Sequence, residues 1–198
     1  MALVFGLLGA APLPAKAADS KTLENLMAAY NGESNAHAKY LAYAEKAEKE
    51  GYGKVASLFR AAAHAENVHL TSHAVVIKSM GGTSKADIKL PEIKSTKENL
   101  EDALKGENYE RTTMYPEFIG VAEAEGNQKA KWTFDMANKV EKIHHGLYEA
   151  ALMQVNAGQA STGKSYHVCQ VCGMTVEGDT PEKCPVCGAP RAQFKKVD

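Results

Sequence analysis

The stretch AAAHAENVHLTSHAVV, Ala61 to Val76, sets Glu66 and His69 three residues apart inside an alanine-rich run. Such a run favours helix, and the i, i+3 offset turns both side chains to one helical face. Val55, Leu58, Ala62, Glu66, His69, His73 and Val76 all fall on that face. The stripe is otherwise apolar, so an acid and two imidazoles point where a core is expected. A second Glu-x-x-His, Glu141-Lys-Ile-His144, lies on a stripe of Ala137, Glu141, His144, Tyr148 and Ala151.

Working outward, residues from about Lys21 to Asn156 are rich in Ala, Leu, Glu and Lys and carry little punctuation. Gly51-Tyr52-Gly53 ends one pattern and Gly81-Gly82 ends the next. A polar connection containing Pro91 leads to Ser95-x-x-Glu98, a capping-box start for a third helix. Gly126-Asn127 makes a short turn into a fourth. The reading predicts four long helices with short, long and short connections, the connectivity of a ferritin-like bundle with one long crossover.

The other two helices repeat the anomaly. One stripe holds Leu26, Tyr30, Glu33, His37, Tyr40 and Ala44, and the other holds Leu100, Ala103, Glu107, Glu110, Met114, Phe118 and Val121. A single helical glutamate usually faces water, and one Glu-x-x-His alone is weak evidence. Five carboxylates facing one core are different, because each costs several kcal/mol if buried ionised and unpaired. They also repel one another at low dielectric. Two ferrous ions would bring four positive charges against five glutamates, with two neutral imidazoles as further donors. Glu33, Glu66, Glu107 and Glu141 with His69 and His144 supply what a carboxylate-bridged dimetal bundle needs. Mixed carboxylate and imidazole ligation suits iron or manganese. His37 and His73, one turn from these ligands, read as hydrogen-bond partners or as core packing. Tyr40 and Tyr115 border the stripes as core aromatics or site residues, Trp132 reads as core, and His64, His145 and His167 read as surface or incidental.

All four cysteines stand near the C-terminus, as Cys169, Cys172, Cys184 and Cys187. The spacing C-x2-C-x11-C-x2-C is a strong tetrathiolate signal, and each pair is followed by a glycine that permits positive φ. Spacing does not separate zinc from iron, and a disulfide framework is the minor alternative. This tail is too small to fold by hydrophobic burial alone and needs its metal.

At 198 residues the chain allows one ordinary domain plus a small one. Its formal net charge of −1 offers no basic patch, which excludes nucleic acid and anionic membrane as obvious partners. Met1 to Ala11 is apolar and is followed by Ala15-Lys16-Ala17, like a secretory segment with its cleavage site but without a basic start. The run is too short to span a bilayer, and no arginine precedes Arg60 to make a twin-arginine signal. Location is therefore open between export and the cytoplasm. The expected organisation is a signal peptide or apolar arm at 1–18, the bundle at 19–156, a Gly/Ser/Thr-rich linker at 157–164 and the metal-knuckle domain at 165–198.

With these motifs in hand, the chain resembles the rubrerythrin family from about Lys21 to its C-terminus. The resemblance is carried by Glu33, Glu66-Asn-Val-His69, Gly106-Glu-Asn-Tyr-Glu110, Met114-Tyr-Pro116, Glu141-Lys-Ile-His144 and the Cys184 to Pro190 run CPVCGAP. It implies a mainly α fold, a ferritin-like di-iron bundle with a small C-terminal rubredoxin-like domain. It implies that Glu66 and Glu141 bridge two irons, with Glu33 on one and Glu107 and His144 on the other. Glu110 and His69 would be alternative ligands of the first iron, exchanged with oxidation state. Tyr40 and Tyr115 match the family's tyrosines beside the metals, and the four cysteines would hold a third iron, replaceable by zinc.

The implied activity is reduction of hydrogen peroxide to water in oxidative-stress defence. Electrons would come from a reductase or small redox protein through the tetrathiolate iron of a homodimer. Two alternatives stand beside it, a ferroxidase that does not need the tail and a zinc knuckle serving protein contacts. Met174 departs from the pattern, standing where such knuckles often carry an aromatic.

Overall fold

The computed structural model describes residues 20–159 and 165–198. The expectation of a signal peptide or arm, and the greater part of the expected linker, lie outside the described residues. Helix α1 spans Lys21–Lys49 and α2 spans Gly53–Ser79. They are joined at Gly51, whose φ of 82° is the left-handed conformation that glycine adopts without strain. Ser20 caps α1, and the Glu125 carboxylate closes the same helix end from across the bundle. It accepts from Ser20 Oγ (2.6 Å), Lys21 N (3.0 Å) and Thr22 N (3.1 Å). These bonds satisfy donors that a helix start otherwise leaves open.

The long crossover runs from Met80 to Ser95 without regular structure. Two amide side chains of α1 tether it: Asn31 Oδ1 accepts from Asp87 N (2.8 Å) and Asn35 Oδ1 from Lys89 N (2.7 Å). The capping box at Ser95 and Glu98 is present and opens α3, Thr96–Tyr109. A π turn, Glu110–Met114, then passes directly into α4, Tyr115–Ala124. Helix α5 spans Gln128–Asn156. Together α3, the π turn and α4 form the third long rod of the bundle, so the four-rod expectation holds with one interruption.

That interruption has a local cause. Pro116 has no N–H for the Thr112 carbonyl, and its ring crowds the preceding turn. The Tyr115 N–H bonds instead to the Glu110 carbonyl five residues back, which widens the helix by one residue. The acidic motif and the break therefore share one turn.

Buried apolar side chains form a cluster on either side of the acidic layer. One contains Tyr40, Tyr43, Phe59, Leu100 and Tyr148, and the other contains Leu26, Ile77, Tyr115 and Phe134. The C-terminal lobe has three short strands, β1 (Tyr166–Cys169), β2 (Thr175–Glu177) and β3 (Phe194–Val197), in antiparallel order β2-β1-β3. Tyr166 and Val168 of β1 join the first bundle cluster, so the lobe seats on α2 and α5. A Lys54–Glu177 ion pair (2.8 Å) and an Arg60 Nε bond to the Asp198 carbonyl (2.6 Å) edge this seat. Trp132 corrects an expectation. It is 49% exposed, because it lies off the α5 stripe formed by Ala130, Phe134, Ala137 and Glu141.

Candidate metal centre

The four rods deliver Glu33 from α1, Glu66 and His69 from α2, Glu107 from α3, and Glu141 and His144 from α5 to one buried layer. Ligand atoms fall into two quartets, Glu33–Glu66–His69–Glu141 and Glu66–Glu107–Glu141–His144, each with its atoms within 4.8 Å of one another. Glu66 and Glu141 belong to both, which is the arrangement that two bridging carboxylates give. His69 Nδ1 lies 3.0 Å from Glu66 Oε2, 3.0 Å from Glu141 Oε1 and 3.5 Å from Glu33 Oε1. His144 Nδ1 lies 2.9 Å from Glu141 Oε2, 3.4 Å from Glu66 Oε1 and 3.8 Å from Glu107 Oε2.

The electrostatics fit a pair of cations. Glu33 Oε2, Glu66 Oε1 and Glu107 Oε2 are buried without a hydrogen-bond partner, and Glu141 Oε1 meets His69 Nδ1. Each such oxygen costs free energy unless a cation or proton satisfies it. Burial, reinforced by the Glu66 charge, pushes the Glu33 carboxyl up to about 8. Burial and the charges of Glu141 and Glu66 hold Glu107 well above the carboxylate range. Burial also works to raise Glu141, but the His69 charge and bonds from both imidazoles outweigh it and pull it down. For His144 burial acts to lower the pKa, and the Glu66 charge with the Glu141 bond carries it to about 9. Protons thus hold the layer together where cations would otherwise do so.

The imidazoles are oriented from behind. His69 Nε2 sits 3.0 Å from the Cys172 carbonyl and must donate to it, which leaves Nδ1 free as a ligand in the neutral ring. His144 Nε2 sits 3.1 Å from Thr175 Oγ1, whose own hydroxyl donates to the Gly173 carbonyl (3.1 Å). The second ring is therefore fixed in the same tautomer. Both partners belong to the cysteine lobe, so the lobe aims the two imidazoles of the bundle.

In the lobe, Cys169 Sγ and Cys187 Sγ are 3.7 Å apart, and Cys172 Sγ and Cys184 Sγ are 3.6 Å apart. A tetrahedron with metal–sulfur bonds of about 2.3 Å has edges of roughly 3.8 Å, so these sulfurs fit one ion and none is in a disulfide. Gly173 (φ 82°) and Gly188 (φ 78°) close the two knuckles. A bond from the Cys172 thiol, opposed by burial and aided by the Val171 and Cys172 N–H groups, brings Cys169 down to about 5. Met174 is buried, with Sδ 3.6 Å from Cys184 Sγ, and fills the place where an aromatic was expected.

A rubrerythrin family model matches residues 24–152, and the rubredoxin-like domain of rubrerythrin matches residues 167–195. The chain belongs to the rubrerythrin family. It is 40% identical over 180 residues to nigerythrin of Nitratidesulfovibrio vulgaris, covering 90% of this chain and 88% of that one. Rubrerythrin-2 of Clostridium acetobutylicum is 33% identical over 190 residues, covering 89% and 97%. The solved structure of fully reduced, all-ferrous nigerythrin superimposes with a TM-score of 0.83 at 39% identity, covering 90% of each chain. The mainly α fold, a ferritin-like bundle with a rubredoxin-like knuckle domain, is thus that of a rubrerythrin. Membership and the two donor sets support an iron-based redox function. Among the described residues no helix is long and apolar enough to cross a membrane.

The remaining residues named from the sequence divide cleanly. Glu110 is half-buried and outside both quartets, although burial and the Glu33 charge hold its carboxyl well above the usual range. Tyr40 donates to Glu107 Oε1 (2.7 Å), and Tyr115 donates to Glu33 Oε1. His37 bonds to the Ala63 carbonyl (2.6 Å) and stays out of the layer. His64 meets Gln170 of the lobe at 2.9 Å. His73 is fully buried, between Tyr115 OH (3.2 Å) and Thr133 Oγ1 (3.1 Å). Sequence reasoning missed Thr133, Thr175 and the Cys172 carbonyl. Only Thr133 left a signal, as a polar residue one turn before Ala137 on the buried side of α5.

Proposed function

We propose that the protein is a non-haem di-iron peroxidase that reduces hydrogen peroxide to water, with electrons relayed through the tetrathiolate iron. The hydrogen bond from His69 Nε2 to the Cys172 carbonyl carries this reading, because one imidazole is both a donor to the carboxylate layer and a neighbour of the cysteine cage. Iron bound there would supply two-electron reducing chemistry, one electron from each of two ferrous ions, which suits cleavage of an O–O bond without release of a radical. Glu33, Glu66, His69 and Glu141 would hold one iron, and Glu66, Glu107, Glu141 and His144 the other, with Glu66 and Glu141 common to both.

The tyrosines fix carboxylate orientation, Tyr40 on Glu107 and Tyr115 on Glu33, and each keeps a hydroxyl proton beside the site. Glu110 would take the place of His69 when the site is oxidised, and the π turn that carries it would give it room to swing. The electron donor is a reductase or small redox protein, and the active form is a homodimer whose size sedimentation velocity reads directly. Within the single chain the lobe's bonds are to its own bundle.

The fully ferrous protein should be oxidised rapidly by hydrogen peroxide at both chromophores, with three irons per chain. Cys184→Ser should abolish donor-linked peroxidase turnover while ferrous ions in the bundle still react once. Full donor-linked turnover in that variant sinks the relay. No peroxide reaction, but steady oxidation of ferrous iron by dioxygen, returns the ferroxidase reading.

A further inference from the structure

A fully buried histidine that ligates nothing stands between the metal layer and the surface. His73 lies on α2 one turn beyond His69, and its two nitrogens contact Tyr115 OH (3.2 Å) and Thr133 Oγ1 (3.1 Å). Thr133, itself 3% exposed, lines a surface groove of about 440 Å³ with Ser72, Gln128 and Trp132. Four groups therefore join the groove to the layer in one unbroken chain: Thr133, His73, Tyr115 and Glu33.

The direction of each bond follows from the donors available. Tyr115 O–H donates to Glu33 Oε1, so its oxygen must accept from His73 Nε2–H. A neutral imidazole then has Nδ1 bare, and Thr133 O–H must donate to it. Burial, helped by the His69 charge, holds His73 down at about 3, which keeps the ring neutral as this pattern requires. Every hydrogen in the chain points inward.

From this polarity we infer that Thr133, His73 and Tyr115 form an inward proton relay, taking protons from water in the groove and delivering them at Glu33. The inference rests on the peroxidase reading for its reaction. Reducing one hydrogen peroxide to two waters breaks the O–O bond and consumes two electrons, one from each ferrous ion as it becomes ferric, and two protons. The relay supplies a proton to the oxygen leaving at the Glu33 side. Tyr115 gives its hydrogen inward, takes one from His73 Nε2, His73 Nδ1 takes one from Thr133, and groove water restores Thr133. One passage leaves the His73 hydrogen on Nδ1. The reverse passage restores the Nε2 form: water at the layer gives a hydrogen to Tyr115, Tyr115 gives one to Nε2, and Nδ1 returns one through Thr133 to the groove. The relay thus lends a proton to bond cleavage, and the net two protons enter with exchanging water. His73 and Thr133 act through Tyr115 and are positioning residues.

Two measurements on the full-length chain test the relay separately from the peroxidase reading. In zinc-loaded, 15N-histidine-labelled protein, NMR should find His73 as the Nε2–H tautomer, with its ring hydrogen exchanging about tenfold slower in Thr133→Val than in the parent. An Nδ1–H tautomer, or equal exchange, overturns the relay without touching the function. In stopped flow, oxidation of the ferrous protein by peroxide should slow about tenfold in Thr133→Val, with a larger solvent deuterium effect, and recover in Thr133→Ser. His73→Gln keeps a donor and an acceptor in place but cannot pass a proton, and should be equally slow. Parent rates in Thr133→Val or His73→Gln overturn the relay. A parent that ignores peroxide sinks the peroxidase reading, and the NMR result then decides the relay alone.

Discussion

At the scale of single residues, the junction of lobe and bundle turns on Gly173. A Cβ there would sit 2.6 Å from His69 Nε2 and 3.2 Å from the Ala65 carbonyl, and the residue's φ is 82°. Two independent reasons thus demand glycine, close approach and a left-handed backbone. Gly173→Ala should cost roughly 1–2 kcal/mol from backbone strain alone, and the clash should lift the Cys172 carbonyl off His69. Rapid-mixing spectra should then show tetrathiolate oxidation lagging carboxylate-site oxidation by about tenfold or more. Unchanged phases would mean that electrons do not depend on this contact. The sequence offered a glycine after each cysteine pair for the sake of the knuckle, but Gly188 has nothing within 4 Å of its added Cβ. Only packing distinguishes the two.

At the scale of an element, the rod α3–π turn–α4 is the informative one. Its sequence announces a break at Pro116 and an extra acid at Glu110, and the structure joins them in one π turn. Restoring an N–H with Pro116→Ala lets the Thr112 carbonyl rejoin an α ladder, and the widened turn should close. Glu110 would then rotate by a residue's worth of helix, about 100°, away from its place beside the layer. The expected result is equal or higher thermal stability with re-reduction of the ferric protein slowed several-fold, read by melting and by stopped flow. Parent kinetics would detach the π turn from ligand exchange. The stripes of all four rods were legible because 3.6-residue periodicity maps directly onto burial. Trp132 is exposed because its angular position on α5 lies off the buried stripe, which hydrophobicity alone does not reveal.

At the scale of the whole molecule, the acidic layer makes protons, or the cations that would replace them, part of folding. Without metal, Glu33 titrates near 8 rather than its ordinary 4.5, so the folded chain keeps a proton that the unfolded chain has lost. Its stabilising effect is full below 4.5 and declines as pH rises to about 8. His144, at about 9 against 6.5, acts in the same direction, losing its contribution between 6.5 and 9. With the cysteine cage loaded, so that Cys169 does not titrate, and the carboxylate layer metal-free, melting should therefore fall from pH 6.5 to pH 9, on the order of 10 °C at about 2–4 °C per kcal/mol. The loaded protein should hold nearly level, because cations replace those protons and are bound more tightly as pH rises. A protein with a loaded cage and a metal-free layer that gains stability over this range would contradict the electrostatic picture.

The helices, the capping box, the six donors of the carboxylate layer and the cysteine cage were all written locally, as spacings of three and four residues or as Cys-x-x-Cys pairs. Local spacing is enough there because helix geometry and knuckle geometry convert sequence distance into direction. What joins the parts was not local. Cys172 lies 103 residues from His69, and Thr133 lies 60 from His73. These pairings arise only once α2 and α5 pack together and the lobe settles on them. The sequence by itself determined which side chains could bind metal; tertiary packing decided how those side chains are oriented, connected and reached from water.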